Sequence, residues 1–186
     1  MLTGSASLSG ILAGSLLGRA LAGTLQRTSP QPKLTFDSTG SLNFFFNKPL
    51  NSISPSRLFV KVKGIFLSDG LLFTLDTTDI LIYVSDLSRL NIKVKSGSSF
   101  TALNSPIALN GKVTFSLEIV DRSLTLKVQD KSLTKTLPEP LTMSSVRNFY
   151  LSGAPNVSDL GLNALKAQYD YVWVNDKVYT KQDLVS

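Results

Sequence analysis

The sequence contains neither cysteine nor histidine. Without cysteine the chain cannot form a disulfide, a Cys-ligated zinc site or an iron–sulfur cluster, and it has no thiol nucleophile. Without histidine it lacks the commonest general base at neutral pH and the commonest metal ligand. The Ser-His-Asp arrangement of many hydrolases is therefore excluded as well.

Carboxylates suited to catalysis are also scarce. Of the 13 acidic residues only Glu118 and Glu139 are glutamates, and Glu139 lies between two prolines. A glycosidase needs two carboxylates that face each other across the scissile bond. Asp76 and Asp79 form a candidate pair, but the DTTD stretch that contains them is typical of a hairpin turn. The sequence therefore predicts a protein that is not an enzyme.

The net charge is +6, from 19 lysines and arginines against 13 acidic residues. The basic residues are spread singly along the chain, with no basic run and no arginines interleaved with aromatics. This pattern favours a solvated basic surface over a nucleic-acid site, so no nucleic-acid partner is expected.

The stretch SPQP (residues 29–32) divides the chain, because two prolines in three residues continue neither a helix nor a central strand. It predicts a Leu- and Gly-rich segment over residues 1–32 and a β domain over residues 33–186.

Beyond residue 32 the sequence alternates between apolar and polar residues. KVTFSLEIV (residues 112–120) and SLTLKVQ (residues 123–129) alternate in this way on either side of Asp121-Arg122, which predicts a β-hairpin. Many short strands with frequent turn signals predict an all-β, antiparallel β-sandwich or jelly roll, with one face of each sheet exposed to water.

Three stretches resemble the laminin-G-like, concanavalin-A-like jelly roll. They are KLTFDSTGSLNFFF (residues 33–46), SLEIVDRSLTLKVQDKSLTKTL (residues 116–137) and LKAQYDYVWVNDKVYT (residues 165–180). The resemblance implies a binding module for glycans or extracellular proteins. Some members use a calcium ion, but no calcium ligand set can be matched here, so the resemblance implies no cofactor beyond a possible calcium ion.

The N-terminal segment LTGSASLSGILAGSLLGRALAGTLQ (residues 2–26) carries five Leu-x-Gly units. A signal peptide is disfavoured because no basic residue precedes the apolar run and glycines interrupt it. A membrane span is disfavoured because the apolar stretch is short and contains Arg19. A flexible linker does not need regularly placed leucines. A self-assembly or anchoring role accounts for them best, since one copy alone cannot bury them.

The same repeats resemble the Leu-Ser-Gly and Leu-Thr-Gly repeats at the start of phage minor structural proteins. This resemblance implies a virion fibre, decoration or tail-associated adhesin that binds other virion proteins and copies of itself as a homotrimer. The leucines predicted to mediate oligomerisation or anchoring are Leu2, Leu8, Leu12, Leu16, Leu21 and Leu25.

Aromatic residues on the last long strand are the candidate ligand contacts. Tyr169, Tyr171 and Trp173 alternate with Asp170 and Val172 and are predicted to share one face. If the valines point into the core, these aromatics form an outward stripe that can stack on sugars or contact another subunit. The opposite arrangement, with the aromatics in the core, stays open.

Two other features have simpler interpretations. The aromatics at Phe44, Phe45 and Phe46 predict a strand buried on both faces. The stretches Asp76–Asp79 and Ser85–Arg89 can supply ligands for a cation or a saccharide, but ordinary turn chemistry is the simpler explanation.

The function predicted from these observations is a non-enzymatic virion protein on the capsid surface or tail. It attaches through its N-terminal segment and displays a β-sandwich to host surface glycans or proteins. Two alternatives remain: a secreted or cell-surface lectin-like module with an extracellular location, and a small membrane-anchored protein.

Overall fold

The computed structural model describes residues 36–38, 40–46, 57–86, 88–141, 143 and 145–184. The predicted segment of residues 1–32, with the six leucines predicted to mediate oligomerisation or anchoring, lies outside the described residues. Within the described part, the predicted all-β sandwich is confirmed: the strands form two antiparallel sheets. No helix among these residues is long and apolar enough to cross a membrane.

The strands are β1 Phe36–Ser38, β2 Leu42–Phe45, β3 Arg57–Phe66, β4 Gly70–Leu75, β5 Ile80–Ser85, β6 Arg89–Ser96, β7 Ser99–Ala108, β8 Lys112–Val120, β9 Ser123–Val128, β10 Lys131–Thr136, β11 Asn148–Leu151, β12 Ala167–Val174 and β13 Lys177–Tyr179. A short 3-10 helix at Lys181–Asp183 follows them.

Sheet A has seven strands in the order β1-β12-β3-β8-β9-β10, with β13 also paired to β12. Sheet B has six strands in the order β2-β11-β4-β5-β6-β7. The edge strands β10 and β7 lie near each other, and Lys135 Nζ donates a hydrogen bond to the Ala102 carbonyl at 2.8 Å. This contact connects the end of sheet A to the end of sheet B.

The alternating sequence builds the core because successive side chains of a strand point to opposite faces of the sheet. In β8, Val113, Phe115, Leu117 and Ile119 are buried, and their polar neighbours are not. The predicted hairpin is confirmed, with Leu117 opposite Leu126 across β8 and β9. Asp121 adopts the positive φ (53°) of its tight turn.

Sheet B departs from the expectation that one face of each sheet is exposed to solvent. All six residues of β4 are buried. An extra residue in β4, between Leu71 and Phe73, sends Leu71 to the outer face. There Leu71, Leu81 and Ala154 form a second apolar cluster beneath the segment of residues 153–165. Part of the outer face of sheet B is therefore covered by the chain itself.

Gly70 permits this covering. Its φ is +148°, and a Cβ atom at this position would lie 2.6 Å from the Asn163 carbonyl oxygen. The next residue, Leu71, donates its backbone N–H to that same carbonyl at 2.8 Å. The covering segment thus approaches β4 closely because residue 70 has no side chain.

The prediction of burial on both faces at Phe44–Phe46 is wrong for Phe45. Phe44 is fully buried and stacks on Phe149 at 5.0 Å between ring centroids, whereas Phe45 is 54% exposed. Period-two alternation explains the difference, because β2 lies at the edge of sheet B and only one of its faces meets the core.

A β-bulge in β12 corrects the prediction for the aromatic stripe. Tyr169 lies opposite Gly64 and Tyr171 lies opposite Lys63, so Asp170 is an extra residue without a partner in β3. The bulge reverses the alternation. Tyr169 therefore points into the core with no exposed surface, while Val172 is buried and Tyr171 is only partly covered.

Gly64 makes room for this arrangement. A Cβ atom on Gly64 would lie 2.4 Å from the backbone oxygen of Gln168. We expect Gly64→Ala to lower the free energy of unfolding by about 1–3 kcal/mol, because the paired strands must move apart. Urea denaturation followed by tryptophan fluorescence measures the change.

The matched control is Gly40→Ala, since a Cβ atom there has no atom within 4 Å. We expect that variant to be as stable as wild type or more stable by up to about 1 kcal/mol. Equal stability of the two variants would show that the close approach at Gly64 is not a constraint.

The hydroxyl of Tyr169 connects β12 of sheet A to the residue that directly follows β11 of sheet B. It lies 2.6 Å from the Ser152 hydroxyl, and both residues are fully buried. Burial raises the pKa of Tyr169 far above its ordinary value of 10.0, and the hydrogen bond with Ser152 opposes that shift only in part. The phenol therefore stays protonated at neutral pH.

We expect Tyr169→Phe to destabilise the protein by about 1–3 kcal/mol, because the buried Ser152 hydroxyl loses this partner. Tyr171→Phe, on the outer face, should change stability by less than about 0.5 kcal/mol. Thermal and urea unfolding provide the comparison.

A second variant separates the hydrogen bond from packing. Removing both hydroxyls, with Ser152→Ala and Tyr169→Phe together, also removes the Ser152 hydroxyl that would lack this partner and should cost less than Tyr169→Phe alone. If the double variant loses as much free energy of unfolding as Ser152→Ala and Tyr169→Phe lose in sum, this account is contradicted.

Candidate ligand-binding face

The outer face of sheet A carries the side chains that alternate along each strand with the buried core residues. We call it the basic-aromatic face and define it by aromatic, lysine and hydroxyl side chains from β12, β3, β8 and β9 and by the amide that directly follows β9. Its members are Phe59, Lys61, Lys63, Thr114, Ser116, Lys127, Gln129, Tyr171 and Trp173.

The antiparallel register places these residues in rows across the strands. One row runs from Trp173 through Lys61 and Ser116 to Lys127. The neighbouring row begins with Tyr171, Lys63 and Thr114. Residues far apart in the sequence thus become neighbours on one surface.

A depression of about 370 Å³ lies on this face. Its lining includes the Phe59 ring, the lysines Lys61 and Lys127, and the polar residues Ser116 and Gln129. The depression therefore offers an apolar surface, positive charge and hydrogen-bonding groups within one small area. These are the features that a polar ligand with an apolar face requires.

Trp173 is held in place at the border of this depression. Its indole Nε1 donates to the Asn175 carbonyl at 2.8 Å, and its ring lies 5.9 Å from that of Phe59 at an interplanar angle of 84°. The Asn175 side chain accepts a hydrogen bond from the Phe59 backbone N–H at 3.0 Å. This fixed orientation reduces the entropy that the ring would lose on binding a ligand.

The charge of the face is positive and largely uncompensated. None of Lys61, Lys63 and Lys127 forms an ion pair with a carboxylate in the part of the chain that the structure describes. Glu118, which alternates onto the same side of β8, contacts the Arg57 guanidinium at 3.5 Å. These three ammonium groups therefore give this face a positive charge.

The structure brings together two of the three candidate ligand contacts. Tyr171 and Trp173 lie on the basic-aromatic face, and ligand binding by them stays a prediction. Tyr169 does not belong to it, because the bulge at Asp170 turns its ring into the core. Asp170 itself is buried and pairs with Lys112, 2.9 Å from its Nζ.

Sequence reasoning missed the remaining members of the face. The strand RLFVKVKGIF (residues 57–66) shows Phe59, Lys61 and Lys63 between buried residues, so the alternation was a signal for the outer side of β3. Their proximity to Lys127 depends on β3 lying next to β8 and β8 next to β9. That order is not visible in the sequence.

The two turn stretches considered as ligand loops have ordinary structural roles. A carboxylate oxygen of Asp76 accepts the backbone N–H groups of Arg147 and Asn148 at 3.1 and 3.3 Å. In the SDLSR stretch, the Ser85 hydroxyl accepts a hydrogen bond from the Asn91 amide at 2.8 Å. Among the described residues, no group of three or more acidic side chains is placed to hold a metal ion.

Comparison with known proteins gives the fold. No protein-family model and no curated protein matches the sequence. The structure is similar to domains LG4-5 of the mouse laminin α1 chain, with a TM-score of 0.68 and 18% identity over 86% of this chain and 47% of that one. It is also similar to the LG1-3 region of the laminin α2 chain, with a TM-score of 0.63 and 15% identity over 85% of this chain and 34% of that one.

A leech intramolecular trans-sialidase is similar as well, with a TM-score of 0.57 and 15% identity over 82% of this chain and 26% of that one. The present chain spans less than half the length of each of these three structures. At such low identity the similarities establish architecture only. The described domain is a laminin G-like β-sandwich of the jelly-roll type.

Proposed function

We propose that this protein is a non-enzymatic binding module that recognises a surface glycan through the basic-aromatic face and is held on a virion by residues 1–32. The observation that carries the glycan assignment is the depression between Phe59, Lys61 and Lys127, with Trp173 at its border. Sugars present C–H surfaces that stack on aromatic rings and hydroxyls that pair with serine, threonine and glutamine.

The chemistry of the face supports binding without catalysis. It contains no histidine or cysteine, and the neighbouring carboxylate of Glu118 contacts Arg57. Glycoside hydrolysis needs two carboxylates in defined positions. The proposed binding also needs no metal ion, so chelation with EDTA should leave it unchanged.

We expect the full-length protein to bind a subset of glycans on an array, and Trp173→Ala to weaken binding about tenfold or more, because the ring supplies the stacking surface. Phe100→Ala is the matched control. Phe100 is 63% exposed and lies on sheet B, beneath Lys93. That variant should bind like wild type.

Two results would contradict the proposed face. One is unchanged binding by Trp173→Ala with an unchanged melting temperature. The other is equal loss in both variants, which would indicate a non-specific apolar contact. Trp173→Phe, which keeps an aromatic ring, should retain part of the affinity and so distinguishes lost stacking from misfolding.

The virion assignment rests on the Leu-x-Gly pattern of the N-terminal segment. Leucines at Leu2, Leu8, Leu12, Leu16, Leu21 and Leu25 are proposed to be buried between copies or against other virion proteins. A secreted or cell-surface lectin-like module would have the same binding face without this assembly role. A membrane-anchored protein would use the segment as an anchor instead.

We expect full-length protein to form trimers in solution and a variant lacking residues 1–32 to be monomeric, as measured by multi-angle light scattering. The described strands begin at Phe36, so the truncated chain keeps both sheets. Circular dichroism of both proteins provides the control for folding.

The alternatives give different results in the same measurement. Monomeric full-length protein without detergent would favour the secreted module. Full-length protein that is soluble only with detergent would favour the membrane anchor. Either result would remove the support for the virion assignment and leave the glycan face to be judged on its own.

A further inference from the structure

We infer that Asn175 is a positioning residue for the basic-aromatic face: it holds Phe59 and Trp173 at a fixed angle and so determines how the proposed glycan is oriented. This inference rests on the proposed glycan-binding function and adds a residue that is not itself a member of the face. It is carried by three hydrogen bonds that Asn175 makes with these two aromatic residues.

Asn175 lies where β12 turns into β13. Val174 lies opposite Lys177, so Asn175 and Asp176 are the two residues of this turn. The φ of Asn175 is 51°, in the left-handed region that asparagine adopts more readily than most residues. On its other side β12 pairs with β3, where Val174 lies opposite Val60. The next pair of that ladder is therefore Asn175 with Phe59, at the point where the chain turns away.

The side chain of Asn175 completes this last pair. The Asn175 backbone N–H donates to the Phe59 carbonyl at 2.8 Å, and the Asn175 side-chain oxygen Oδ1 accepts the Phe59 backbone N–H at 3.0 Å. In a regular hydrogen-bonded pair of antiparallel strands, both acceptors are backbone carbonyls. Here a side-chain amide replaces one of them, as asparagine side chains do in turns. Two hydrogen bonds thus tie the backbone of Phe59 to residue 175.

This replacement leaves the backbone carbonyl of Asn175 for Trp173. The carbonyl accepts the indole Nε1–H at 2.8 Å. Because the indole has a single N–H donor, this bond restricts the rotation of the ring. One residue therefore holds the backbone of one aromatic residue and the ring of the other.

The angle between the two rings matters for a ligand. Their centroids lie 5.9 Å apart, and the interplanar angle is 84°. Sugars stack with a C–H surface on an aromatic ring, and two perpendicular rings cannot both lie flat against the same sugar. The ring that stacks sets the plane of the sugar, and the other ring limits its sideways position. A change in the angle should therefore alter both the affinity and the choice among glycans.

Two substitutions separate the two properties of Asn175. Asn175→Asp keeps an acceptor oxygen on a side chain of the same length and tolerates a positive φ. Asn175→Gly also tolerates a positive φ but removes the acceptor. The matched control is Thr78→Gly, which removes a neutral side chain from another left-handed residue, with a φ of 57°, in the turn between β4 and β5 of sheet B.

The first measurement uses full-length protein without ligand. Trp173 is the only tryptophan of the chain, so protein labelled with nitrogen-15 gives one indole N–H signal in its NMR spectrum. We expect Asn175→Gly to shift this signal and to speed exchange of the indole proton with water about tenfold or more, because the turn loses its anchor on Phe59. Asn175→Asp and Thr78→Gly should give the wild-type signal. Melting temperatures provide the control for folding.

The second measurement is binding to a printed array of neutral and acidic oligosaccharides at a series of protein concentrations. We expect Asn175→Gly to weaken binding about fivefold or more and to change the order of preference among the bound glycans. Asn175→Asp should keep the wild-type order among the neutral glycans, for which its added charge matters least. Thr78→Gly should bind like wild type throughout.

The outcomes separate this inference from the proposed function. An unchanged indole signal in Asn175→Gly would overturn the positioning role and leave glycan binding intact. A shifted signal with unchanged binding would show that the ring angle does not determine recognition, which also overturns the inference. Equal loss in Thr78→Gly would indicate a general effect on folding and would overturn it as well. A blank array for the wild-type protein would overturn the proposed function and the orienting of a glycan, whereas the indole signal would still decide whether Asn175 holds the ring.

Discussion

One extra residue in β12 determines which aromatic side chains reach the surface. Up to Tyr169 the strand follows one alternation, and after the bulge at Asp170 it follows the opposite one. The first alternation places a phenol in the core, where it meets Ser152. The second places Tyr171 and Trp173 outside while their valine neighbours stay buried. Without the bulge, either the core would lose Tyr169 or the outer face would lose Trp173.

The two sheets have different outer surfaces, and the difference originates in their backbones. In β4, an extra residue and Gly70 let residues 153–165 pack over an apolar cluster. In sheet A, the outer residues of β8 and β9 are mostly polar or charged, and β3 adds Lys61 and Lys63 beside Phe59. The outer face of sheet B is therefore partly covered by residues 153–165, whereas the outer residues of β3, β8 and β9 are partly or fully exposed.

Much of the fold could be predicted from the sequence, because period-two alternation in residues 112–129 specifies strands, a turn and a buried face at once. The bulge could not be predicted, since YDYVWV alternates without interruption and its irregularity depends on the partner strand and on Gly64. The candidate site was only partly visible. Lys61, Lys63 and Lys127 stand singly in the sequence, and only the strand order brings them together. The continuous apolar run Leu71-Leu72-Phe73 was a signal for burial on both faces of β4.

The hydrogen bond between Lys135 and the Ala102 carbonyl affects how the sheet edges can associate with other molecules. Exposed strand edges are templates for pairing with a neighbouring chain, and a lysine on an edge opposes such pairing. Here the Lys135 ammonium group on β10 donates a hydrogen bond to the Ala102 carbonyl on β7. The two edges that end the sheets on this side therefore face each other. Lys135 therefore opposes the pairing of these two edges with the strands of a neighbouring molecule.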